Sequence, residues 1–163
     1  MSVPFDLAGK RIWVAGHRGM VGSAMLRRLE RENIGEIVIA PRDKGDLTRQ
    51  AQVEDWVAAT RPDVVVLAAA RVGGIAANAA RPVDFLHDNL MIEANIMAAS
   101  AAAKVSKLLF LGSSCIYPKF ADQPIVEEAL LTGALEPTNQ WYAVAKIAGI
   151  RLAEAYRAQY GLD

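Results

Sequence analysis

Apolar and polar positions fall into short blocks along this chain. Ile12 to Ala15 is a continuous apolar run, the mark of a strand buried on both faces. Next, Val21, Ala24, Met25 and Leu29 recur at helical spacing and predict a helix from about Met20 to Asn33. Its outer face carries Arg27, Arg28, Glu30, Arg31 and Glu32. Asn33 and Gly35 tolerate left-handed backbone and are expected to end it. Ile37, Val38 and Ile39 form the centre of a second buried strand, Glu36 to Ala40. A helix from Gln50 to Thr60 stops before Pro62, and Val64 to Leu67 is a third strand. A long helix from Val83 to Ala103, a fourth strand from Leu108 to Leu111 and a last helix from Trp141 to Tyr160 complete the series. The loop before that last helix holds Pro118, Pro124 and Pro137. It is too long for a simple connection and is expected to serve function.

Strands alternating with helices predict an α/β fold, a Rossmann-type doubly wound parallel sheet with right-handed crossovers. The expected strand order is 3-2-1-4. Such a sheet normally continues with another strand after the last helix. Residues 1–163 are therefore read as one NADP-binding Rossmann domain, incomplete at the C-terminus, with a substrate region beyond it.

Composition narrows the possibilities. The chain has 163 residues, 53% hydrophobic and 22% charged, as in an ordinary globular domain. Lys+Arg and Asp+Glu balance at 18 each, so electrostatic capture of nucleic acid is not expected. Cys115 is the single cysteine, which excludes an intrachain disulfide and fits a reducing cytoplasm. Met1 to Lys10 lacks a signal-peptide core, and apolar runs such as Val64 to Ala70 are too short to span a membrane. His17 and His87 lack ligand-spaced partners, so no metal site is expected.

The chemistry begins at the first strand's end. Gly16, Gly19 and Gly22 stand where that strand turns into a helix. Glycine there lets backbone approach a pyrophosphate closely, and the helix directs free N–H groups and its positive dipole end at the anion. After the second strand, Arg42 together with Arg18 can clamp a 2′-phosphate, which points to NADP(H). Asp43 is the competing signal for NAD. The expected cofactor set is Gly16, His17, Arg18, Gly19, Met20, Val21, Gly22, Arg42, Asp43, Asp46, Leu47, Leu111, Gly112, Ser113, Ser114 and Lys146.

Tyr142 and Lys146 stand at i and i+4 on one helical face, either a surface pair or an acid–base pair. A neighbouring cation favours the phenolate, so Lys146 is expected to lower the Tyr142 pKa from its ordinary value of about 10. Ser113 and Ser114 follow the fourth strand, at the sheet edge where such folds place ligands. Gly112-Ser113-Ser114-Cys115 does not fit the nucleophile elbow of a hydrolase. By its own chemistry Cys115 reads more often as a small buried residue than as a base. The Ala-rich stretch Ala94 to Ala103 suits close helix packing, in the core or at a dimer surface.

Glycine turn, Ser113, Tyr142 and Lys146 together resemble the extended short-chain dehydrogenase/reductases. Ala15 to Ala24, Ala69 to Ile75, Leu111 to Lys119 and Leu135 to Asn139 narrow the resemblance to members acting on GDP-4-keto-6-deoxy-D-mannose. The resemblance implies Ser113, Tyr142 and Lys146 in an NADPH-dependent reduction at C4, and Cys115 in epimerisation at C3 and C5. It also implies a GDP-sugar substrate and a cytoplasmic homodimer paired through the two long helices. The family's downstream histidine acid and much of its GDP-sugar site lie outside these residues. Trp141 stands where many members have proline. The alternatives are another nucleotide-sugar epimerase/reductase and a non-catalytic dinucleotide-binding fragment.

Overall fold

The computed structural model describes residues 5–41 and 45–163. Arg42 and Asp43 lie outside the described residues. In chain order the elements are β1 (Arg11–Ala15), α1 (Met20–Leu29), β2 (Glu36–Val38), α2 (Gln50–Thr60), β3 (Val64–Leu67), α3 (Ile75–Ala80), α4 (Asn89–Ala102), β4 (Lys107–Phe110) and α5 (Gln140–Tyr160). The strands form one parallel sheet in the order β2-β1-β3-β4. The fold class is the doubly wound parallel sheet expected; the order 3-2-1-4 is not. The third strand crosses over β1 and pairs on its far side, Trp13 opposite Val65. The burial pattern explains the exchange. All of β3 is buried, as a central strand must be, whereas β2 buries only Val38.

Alternation along β1 divides the core between the two sheet faces. Ile12 and Val14 pack with Leu29, Val64 and Val66 beneath α1. Trp13 and Ala15 face α2 and α4 through Val53, Val57, Ile96 and Met97. Trp13 and Trp56 meet as a tilted pair with centroids 6.4 Å apart, an arrangement aromatic rings favour.

Several boundaries differ from the sequence pattern for identifiable reasons. The first helix stops at Leu29 because Arg31 and Glu32 donate to the carbonyls of Arg28 and Leu29, tightening its end. Gly35 does not adopt the left-handed region. A Cβ there would collide with the backbone of Gly9, and Gly35 N–H donates to Lys10 O at 2.9 Å. The long helix expected from Val83 is interrupted near its start by a π-helical turn, Asp84–Asp88, and runs on as α-helix from Asn89. Arg71 lies 3.0 Å from Asp84 and 3.6 Å from Asp88, which anchors that turn under the loop after β3. The proline-containing loop folds back on itself, with Lys119 paired to Glu136 at 2.8 Å. At the other end, Gly161 caps α5 in the left-handed region, Leu162 is buried, and Leu108 N–H donates to Asp163 O at 2.6 Å. Among the described residues no helix is long and apolar enough to cross a membrane.

Candidate functional site

All strands run parallel, so the ends of β1, β3 and β4 share one sheet edge. With β2 on one side of β1 and β3 on the other, the chain changes direction at the end of β1, the place where such sheets hold ligands. Gly16 occupies it with φ +86°, a region side chains rarely adopt. A Cβ on Gly16 would lie 2.5 Å from the nitrogen of Ala69; one on Gly22 would strike the carbonyl of Gly16. These two glycines press turn, helix and neighbouring strand end together. Gly19 has room, with only Gly16 O at 3.4 Å.

The first helical bond of α1 runs from Ser23 N–H to Gly19 O. The N–H groups of Met20, Val21 and Gly22 therefore have no partner within the helix. No acidic residue stands in its first turn, so the end is free to receive an anion. A cleft of about 200 Å³ lies beside it, lined by Gly16, His17, Arg18, Gly19, Ala40, Pro41 and Leu47 among others. Burial, and then the Arg18 guanidinium, hold His17 below the usual histidine value. Asp46 stands next to the cleft, but its carboxylate is occupied. It accepts from Thr48 N–H at 3.1 Å and Thr48 Oγ1 at 2.6 Å, and Thr48, ahead of Arg49, lowers its pKa. This arrangement fits a dinucleotide: the close approach is there, the donors are free and a cation flanks them.

The second group lies beyond β4. Leu111 and Gly112 lead into a short 3-10 turn, Ser114–Ile116, which places Ser113 Oγ 3.1 Å from Cys115 Sγ. Ser114 is exposed and Cys115 half-buried. From α5, which packs on that turn, comes half-buried Tyr142. Trp141 does not disturb the helix start: α5 already begins at Gln140, and the indole is partly exposed.

The surroundings of Tyr142 in this structure act in the direction opposite to the effect expected of Lys146. Burial foremost, then the charges of Cys115 and Glu93, hold the Tyr142 phenol above its ordinary value; only the Ser113 hydroxyl pulls it down. Lys146 is itself buried and its ammonium is met by Glu93, with Nζ 3.1 Å from Oε1. Nζ also lies 4.6 Å from the Phe110 ring centroid and 5.9 Å from that of Tyr142.

Of the buried polar residues that escaped the sequence reading, Asn89 and Glu93 bear most directly on this site. Asn89 receives Arg71 N–H at 2.7 Å and donates to Arg71 O at 3.0 Å and Phe85 O at 2.6 Å, fixing the loop after β3. Glu93 faces Lys146. A usable signal existed: Glu93 is the one charged residue between Asp88 and Lys104, in an otherwise apolar helical run. Among the described residues no group of side chains suits a metal ion.

Comparison with known proteins adds to this geometry. The NAD dependent epimerase/dehydratase family matches residues 12–163. GDP-L-fucose synthase from Sinorhizobium fredii is 62% identical over 157 residues, 96% of this chain and 50% of the relative. The Escherichia coli GDP-L-fucose synthase is 55% identical over 96% of this chain and 49% of its own. A GDP-mannoheptose C4 reductase from Campylobacter jejuni, solved with NADP bound, superposes with TM-score 0.92 at 36% identity, over 98% of this chain and 50% of that one. A Naegleria fowleri GDP-L-fucose synthetase bound to NADP gives TM-score 0.86 at 30% identity, over 96% and 50%. The chain spans about half the length of the curated relatives it matches.

Proposed function

The chain belongs to the NAD dependent epimerase/dehydratase family, and on that footing we propose that the intact protein converts GDP-4-keto-6-deoxy-D-mannose to GDP-L-fucose. The relatives of that name, similar along almost the whole of this chain, support the reading. Residues 1–163 then form the NADP-binding domain, and the GDP-sugar site is completed by chain beyond them. The observation that carries the proposal is the convergence of two proton-handling groups on one hydroxyl. Ser113 contacts Cys115 at 3.1 Å and acts on the Tyr142 phenol.

The glycine turn and the free N–H groups of Met20, Val21 and Gly22 would hold the cofactor's pyrophosphate, and Arg18 its 2′-phosphate. Solved relatives with NADP bound support the choice of phosphate form. When bound, NADPH supplies the hydride for C4. Cys115 removes the protons at C3 and C5, which the C4 ketone makes acidic; a thiolate is a competent base for them. A downstream acid returns them on the opposite face. Ser113 hydrogen-bonds the C4 oxygen and Tyr142 delivers a proton to it. The raised Tyr142 pKa suits that role, because the phenol must still hold its proton when the alkoxide develops.

We place the protein in the cytoplasm as a homodimer paired through α4 and α5. Partly exposed Leu90, Trp141 and Val144 on those helices support the pairing. The test is incubation of the intact protein with NADPH and GDP-4-keto-6-deoxy-D-mannose. GDP-L-fucose is expected as product. A C4-reduced sugar with unchanged C3 and C5 would instead mark a simple C4 reductase.

A further inference from the structure

Asn95 is a polar residue in an apolar place. It lies on the face of α4 that also buries Ile92, Ile96 and Ala99, and it is 5% exposed. A buried amide is costly unless it is hydrogen-bonded. Its Nδ2 donates to the carbonyl of Leu47 at 3.0 Å, 48 residues back along the chain. Among the described residues this is the one side-chain hydrogen bond from α4 to the segment 45–49. The bonds beside it are local: Thr48 N–H and Oγ1 donate to the Asp46 carboxylate, and Arg49 N–H donates to Asp46 O.

Leu47 serves two surfaces. It packs on the core cluster shared by α2 and α4, and it lines the cleft beside the glycine turn with Ala40, Pro41 and Gly45. A tie on its carbonyl therefore fixes where that wall of the cleft stands. The same helix ties the loop on the other side of the turn, through Asn89 and the backbone of Arg71. So α4 holds both loops that flank the glycines.

We propose that Asn95 is a positioning residue for the adenosine end of NADP(H): it holds Leu47 so that the cleft is already shaped for the base and its ribose. The inference rests on the cofactor placement proposed above, with the pyrophosphate at the glycine turn and the 2′-phosphate at Arg18. From there the cleft runs to Ala40 and Pro41, past the end of β2, where folds of this kind place the adenosine ribose. A wall fixed in advance loses little freedom when the ligand arrives, and that saving appears as affinity. With leucine at position 95 the Leu47 carbonyl meets an apolar side chain. Segment 45–49 is then expected to turn that carbonyl toward water, which moves the wall.

The experiment uses the intact protein and two ligands, NADPH and adenosine 2′,5′-bisphosphate, which carries the adenosine end alone. Calorimetry measures the affinities, and urea midpoints at unchanged slope measure stability. Asn95→Leu, near in size but without a donor, is expected to weaken both ligands by about 3- to 10-fold, the scale of one neutral hydrogen bond. In turnover, KM for NADPH rises while kcat at saturating NADPH is kept, because the nicotinamide end is untouched. Asn95→Ala is expected to act in the same direction and decides the matter if Asn95→Leu does not fold. Ser100→Ala is the control. That hydroxyl is buried on the same helix without a hydrogen-bond partner among the described residues, and its loss is expected to leave both affinities unchanged. Folded Asn95 variants that lose stability but bind adenosine 2′,5′-bisphosphate as the parent does overturn the role of Asn95. So does an equal weakening in Ser100→Ala, which would mark a general effect of disturbing α4. A parent that binds neither ligand overturns the cofactor placement itself, a different failure from binding that the Asn95 variants leave intact.

Discussion

Gly16 stands where any side chain would run into Ala69: an added Cβ would lie 2.5 Å from that residue's backbone nitrogen and 2.6 Å from its Cα. The obstacle is backbone from the loop after β3, which cannot swing aside. Gly16 also sits at φ +86°, which costs a non-glycine residue about 1–2 kcal/mol. Gly16→Ala is therefore expected to destabilise the protein by about 2–4 kcal/mol, strain and overpacking together. Gly74 offers the control, with nothing within 4 Å of its added Cβ and φ −70°. Gly74→Ala is expected to change stability by less than about 1 kcal/mol. Urea midpoints at unchanged slope measure both.

Arg18 lines the cleft beside the glycine turn. Arg18→Ala is expected to weaken NADPH binding by about 1–3 kcal/mol, the scale of a lost charge-assisted bond, and to leave NADH binding nearly unchanged. Fluorescence titration with each cofactor measures the two affinities. Equal loss for both would remove Arg18 from the 2′-phosphate.

The Glu93 carboxyl imposes a pH dependence on stability. Its folded pKa is raised, by burial, from 4.5 to about 7, so the folded state binds more protons than the unfolded state between those values. Stability contributed by the protonated form is full below about pH 4.5 and falls as pH rises through 7, by an amount on the order of 3 kcal/mol before other groups are counted. Denaturation at a series of pH values should show this downward slope in the parent and not in Glu93→Gln.

Much of this architecture was legible from side-chain pattern. The apolar runs at Ile12 and Val64 became β1 and β3, and the glycine spacing marked the strand-to-helix turn. Strand order was not legible, because pattern alone does not tell a central strand from its edge neighbour. The uniform apolar character of Val64 to Leu67 was the available hint, and it argued for the centre. Gly35 misled because glycine serves close approach as readily as left-handed backbone; only the position of Gly9 distinguishes them. The Tyr142–Lys146 spacing was read correctly as proximity, but the charge environment of the pair was not legible from it. The missing partner, Glu93, comes from a different helix, and sequence spacing reports only neighbours on the same one.

The central claim is that Cys115 and Tyr142, gathered around Ser113, carry two separate proton transfers. Exchange of the C3 and C5 protons of the keto-sugar with deuterated water, measured alongside NADPH oxidation in the intact protein, tests it most directly. Cys115→Ser is nearly isosteric but replaces the thiol with a hydroxyl of far higher pKa. It should lose deuterium exchange by about 100-fold or more, the scale of a lost general base, while still binding NADPH. Tyr142→Phe should exchange at close to the parent rate and lose hydride transfer, since no acid remains for the C4 oxygen. Exchange at the parent rate in Cys115→Ser would contradict the account and leave Cys115 a half-buried small residue beside the reducing centre.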